Sequence, residues 1–121
     1  MNDRDRIDEL EEEVLQLRSL LALEVHEDRL IALRETFGIK PGPAKLLHIL
    51  LTRAVMSRRL AEMTLEIDVE AEHYTRRKTI DVQLSAVRAS LKTRGIELRT
   101  VYGVGWSLVA PDKAKIEAML A

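Results

Sequence analysis

From Met1 to Phe37 the chain contains neither proline nor glycine, and its apolar positions recur at helical spacing. Ile7, Leu10, Val14, Leu17 and Leu21 follow one another at steps of 3, 4, 3 and 4, the spacing of a heptad seam. β-Branched Ile7 and Val14 with Leu21 take the a positions, and Leu10 and Leu17 the d positions, a combination that packs best in parallel two-stranded coils. In that register Arg6 faces Glu11 of a second copy and Glu13 faces Arg18, both attractive pairs. The seam ends after Leu21, because Glu24 and Asp28 occupy the next two positions. Residues 1–37 are therefore expected to form a dimerising helix, with Leu30, Leu33 and Phe37 packing on the domain that follows.

Gly38-Ile39-Lys40-Pro41-Gly42-Pro43 ends that helix. The leucine-rich stretch from about Pro43 to Arg53 predicts a largely buried helix, followed by an extended link, Ala54-Val55-Met56. Ser57 can cap a helix over Arg58 to Thr64, and the acidic stretch 66–74 reads as a loop. The clearest period in the chain follows: Ile80, Leu84, Val87 and Leu91 form one stripe of a helix expected over 76–93 and stopped by Gly95. Residues 97–109 read as two strands joined around Tyr102-Gly103-Val104-Gly105, with Trp106 as core beneath them. A helix over 111–121 closes the chain, with Pro111 near its start. The pattern gives three parts: 1–37 for dimerisation, a domain over 38–110, and a terminal helix over 111–121.

Composition alters this picture little, but charge alters it much. Apolar residues at 46% and charged ones at 32% describe a foldable chain, and aromatics at only 3% leave the core to aliphatic side chains. Without cysteine there can be no disulfide or thiolate metal site. No run is long and apolar enough to cross a bilayer, nothing resembles a signal peptide, and a cytoplasmic location is the expectation. The net charge of −1 conceals a division: residues 1–35 carry 5 basic and 11 acidic side chains, residues 36–121 carry 14 basic and 9 acidic.

The basic half centres on the helix at 76–93. With Ile80, Leu84, Val87 and Leu91 inward, its opposite face carries Lys78, Thr79, Val82, Ser85, Ala86 and Ala89, where a solvated helix ordinarily has glutamates and lysines. Small side chains allow a helix to enter the DNA major groove, and Arg76, Arg77, Lys78, Arg88 and Lys92 surround that face to hold phosphates. Gln83 can read an adenine edge, and Val82 or Ala86 a thymine methyl. Three helices followed by a hairpin is the order of a winged helix-turn-helix. The expected fold is therefore mainly α with a small β-hairpin wing (α+β), preceded by a coiled-coil helix.

Lys78-Thr79-Ile80-Asp81-Val82-Gln83-Leu84-Ser85-Ala86-Val87-Arg88, then Thr100-Val101-Tyr102-Gly103-Val104-Gly105-Trp106, resembles the effector domain of OmpR/PhoB-type response regulators over about residues 39–109. The resemblance implies a recognition helix in the major groove and a wing on an adjacent groove or backbone. It also implies that residues 66–74 stand where the family can touch RNA polymerase. In place of the family's receiver domain and N-terminal sheet this chain has its heptad helix. Where the family often carries arginines, it has Ser85, Ala86 and, at the wing tip, Tyr102. The candidate DNA-binding set is Arg58, Arg76, Arg77, Lys78, Thr79, Val82, Gln83, Ser85, Ala86, Arg88, Lys92, Thr100 and Tyr102.

His26, His48 and His73 are too scattered for a metal site, and no grouping of nucleophile and base marks an enzyme; no cofactor is expected. The expected partners are double-stranded DNA and a second copy of the chain. A second function fits the same residues: a winged-helix interaction module docking on RNA polymerase or another regulator.

Overall fold

A computed structural model describes residues 27–68 and 70–120 of the chain. The proposed dimer seam, Ile7 to Leu21, lies outside the described residues. Among the described residues helix α1 occupies 27–37, α2 Pro41–Thr52, α3 Arg58–Thr64, α4 His73–Lys92 and α5 Ala110–Leu120. Three short strands, β1 (Met56–Ser57), β2 (Arg99–Val101) and β3 (Gly105–Ser107), make an antiparallel sheet in the order β1-β3-β2. The fold is mainly helical with a small sheet, an α+β arrangement.

α2 is the centre of the core. Pro41, at the first helical positions, supplies a preset φ where a missing N–H does no harm. From there Ala44, Leu46, Leu47, Leu50 and Leu51 are buried, so the helix is apolar on almost every side. α4 packs across it through the stripe read from sequence: Ile80, Leu84, Val87 and Leu91 are all at most 3% exposed. Leu33 and Phe37 from α1, Ile116 from α5 and Trp106 from β3 join the same cluster. α1 is also tied to α5 by the Arg29–Glu117 ion pair, and α5 to the end of α2 by Lys113, whose Nζ donates to Arg53 O at 2.8 Å.

The ends of the helices have identifiable causes. Ser57 caps α3, its Oγ accepting from Leu60 N–H at 3.1 Å. α4 stops at Gly95, whose φ of +72° permits the two bonds of a Schellman ending, Gly95 N–H to Lys92 O at 3.1 Å and Ile96 N–H to Leu91 O at 3.0 Å. α3 ends in the same pattern but without a glycine. Glu66 takes φ +55°, with its N–H on Met63 O at 3.2 Å and Ile67 N–H on Glu62 O at 3.0 Å. A left-handed non-glycine residue costs about 1–2 kcal/mol, only part of which glycine's greater unfolded freedom takes back. Glu66→Gly is therefore expected to stabilise the fold by about 0.5–1 kcal/mol, read as a rise of a few degrees in thermal melting.

Several boundaries differ from the sequence expectation: α2 begins at Pro41, inside the stretch expected to separate it from α1, and α5 begins at Ala110. α4 begins at His73, so His73 and Tyr74 belong to the helix and not to the acidic loop. The link after α2 contains a strand, Met56 pairing with Trp106 and Ser57 with Gly105. Two residues cannot display a period, and their partner lies some fifty positions away; only tertiary pairing creates β1.

Candidate nucleic-acid interface

The burial of one stripe of α4 decides what its other side shows. Val82, opposite the stripe, is 57% exposed, and Lys78, Ser85, Ala86 and Ala89 are exposed with it. No described residue of the hairpin or of α1 covers this face. Beside it runs an open groove of about 590 Å³, walled by Val82, Ala86 and Ala89 on one side and by Ile39, Lys40 and Pro43 on the other. Lys40 adds a cation to this groove that the pattern of α4 does not reveal. It lies some forty residues earlier and arrives there only because α2 crosses α4.

The polar candidates divide by direction. Arg77 and Lys78 are exposed at the first turns of α4, with Lys78 Nζ 5.9 Å from the centroid of the Tyr74 ring. Arg76 lies on the flank instead, its Nε 4.0 Å from Glu62 Oε1 of α3. Thr79 bonds back to Thr75 O at 2.9 Å. Gln83 is half-buried, with Oε1 so close above Gly42 that a Cβ there would sit only 2.5 Å from it. The amide expected to read a base edge thus leans on the start of α2.

Arg88 faces the hairpin. Its Nη2 donates to Thr100 Oγ1 at 2.8 Å, joining α4 to β2. Arg88 and Lys92 also line a shallow cleft with Ile96 and Leu98 below it. At the β1 edge of the sheet Arg58, at the start of α3, stacks its guanidinium over Trp106 at 5.5 Å from the ring centroid. Tyr102 stands 97% exposed at the tip of the hairpin, with Val104 54% exposed beside it.

The structure brings Arg58, Arg77 and Thr100 to one cleft against the hairpin and Arg88 and Lys92 to a second. Val82 and Ala86 wall the groove that Lys40 also lines, Lys78 and Ser85 are exposed on α4, and Tyr102 stands at the hairpin tip. It turns Arg76 and Gln83 toward α3 and α2. Among the described residues no group of His, Asp or Glu could hold a metal ion, and no helix is long and apolar enough to cross a membrane. An exposed helix face of small side chains, bordered by guanidinium and ammonium groups, can receive a closely fitting surface that carries negative charge.

Comparison of the chain with protein-family models, with curated proteins and with solved structures gives no match.

Proposed function

We propose that the chain binds double-stranded DNA as a winged helix-turn-helix, with the Lys78-Val82-Ala86-Ala89 face of α4 in the major groove and the β2–β3 hairpin as the wing beside it. The observation that carries this reading is the exposure of that face together with its basic border. A groove about 12 Å wide admits a helix best where no long side chain holds it off. The fixed join between α4 and β2, through Arg88 and Thr100, supports the hairpin's part in the same surface. A regulator of transcription, dimeric through Ile7, Leu10, Val14, Leu17 and Leu21, is the fullest form of the proposal; the dimer rests on the heptad pattern alone. Joining two heads of modest affinity would raise their combined affinity without any new contact.

The test is fluorescence anisotropy with a labelled duplex over a range of salt. Binding through several phosphates predicts a straight line of log affinity against log salt, with a slope of about −0.9 for each phosphate neutralised. Absence of binding at low salt would remove the reading. A second reading, a protein-docking module, is favoured by one observation: the wing tip presents the 97% exposed Tyr102 and no cation. It predicts negligible duplex binding at every salt concentration.

A further inference from the structure

Two guanidinium groups converge on one cleft between α4 and the hairpin. This cleft, about 400 Å³, is lined by Arg58 and Arg77, by Thr100, and by Trp106 with the hairpin glycines Gly103 and Gly105. No carboxylate lines it, and among the described residues neither arginine has a carboxylate partner. Arg58 is not a side chain left loose in solvent. Its plane rests on Trp106, and its Nη1 is shielded from water without any hydrogen-bond partner. What the cleft offers an anion is the charge of this guanidinium, which has no carboxylate beside it among the described residues. Thr100 Oγ1 already accepts from Arg88, which leaves its own O–H as a donor. Val101 and Val104 complete the hairpin wall beside the two glycines.

We propose that this cleft is a seat for a single phosphate group, held by Arg58 and Arg77 together with the Thr100 hydroxyl. Guanidinium groups suit such a group because their planar donors match its oxygens in pairs. The identity of the phosphate rests on the DNA-binding reading above: with α4 in the major groove, the strand edging that groove passes between α4 and the hairpin, and one of its phosphodiesters occupies the cleft. The hairpin is then placed over the neighbouring groove by a fixed backbone contact that carries no sequence information.

Two measurements on the full chain test this. The first is the salt dependence of binding to a mixed-sequence duplex for Arg58→Gln, Arg77→Gln and the double variant, with Lys115→Gln on exposed α5 as control. The double variant is expected to reduce the slope by about 0.9, and each single variant by less than that, because the arginine left in place still neutralises the one phosphate that both hold. A double loss of about 1.8 would mean two separate phosphates, and an unchanged slope none; either overturns the proposal. Arg77 is exposed, so its variant keeps the test sound should Arg58→Gln fold poorly. The second is a titration of isotopically labelled protein with inorganic phosphate. The Nε–H signals of Arg58 and Arg77 are expected to shift together and saturate, while that of Arg59 stays in place. Failure of both signals to move overturns the seat. Saturating shifts in a protein that binds no duplex would uphold the seat and dismiss the DNA reading alone.

Discussion

Replacing Gly105 by alanine is expected to lower the melting temperature by roughly 12–24 °C, the loss of about 3 kcal/mol in a domain of this size. Gly105 adopts φ +155°, and a Cβ built on it would lie 2.0 Å from Met56 O, 2.8 Å from Met56 C and 2.9 Å from Ser57 Cα. All three atoms are backbone, so no side-chain rotation can make room. The strand that would have to move is β1, whose Met56 is fully buried. Relief of the clash therefore means breaking the Met56–Trp106 and Ser57–Gly105 pairing and disturbing the core below it. Gly103→Ala is the informative comparison. Its φ of +72° is also unfavourable to alanine, but nothing lies within 4 Å, so about 1 kcal/mol is the whole expected loss. Thermal unfolding by circular dichroism separates the two, and equal melting of both variants would contradict the close approach of β1 and β3.

Ala86→Glu is expected to abolish most duplex binding while leaving the fold intact. Ala86 is exposed on the outward face of α4, and glutamate is nearly as good a helix former as alanine, so stability should barely change. Within the proposed complex the new carboxylate would meet base edges and phosphates at close range, with a longer side chain holding the helix away. Like-charge contact of this kind costs several kcal/mol, and a loss of about 3 kcal/mol is about 100-fold in affinity. Glutamate at Ala114, exposed on α5, changes net charge equally and is expected to alter affinity by no more than about 2-fold. Comparable losses from both variants would show that overall charge matters and the face of α4 does not.

Local pattern accounts for what could be read in the sequence. Ile80, Leu84, Val87 and Leu91 declared both the helix and its buried side, and from that side the exposure of Val82 and Ala86 followed. Ser57 as a cap, Gly95 as a stop and Trp106 as core rest on equally local chemistry. What stayed hidden was made by distant partners. β1 exists because β3 lies beside it, and Gln83 leans toward α2 because Gly42 leaves it a space. Arg76 and Arg77 are adjacent and identical, yet a step of 100° around the helix sends the first toward Glu62 and leaves the second at the cleft. Arg58 was legible as a cation at a helix start. Its stacking on Trp106, forty-eight positions later, was not.

If the outward side of α4 is the surface that meets DNA, its backbone amides must respond to a duplex. The most direct measurement is a two-dimensional amide spectrum of labelled protein titrated with a duplex. Shifts concentrated in residues 75–89 and in the hairpin around 99–104 are expected, with α5 and the buried stripe of α4 little affected. Shifts gathered on α5 or in the acidic segment 66–72, with the α4 face silent, would contradict that role of α4.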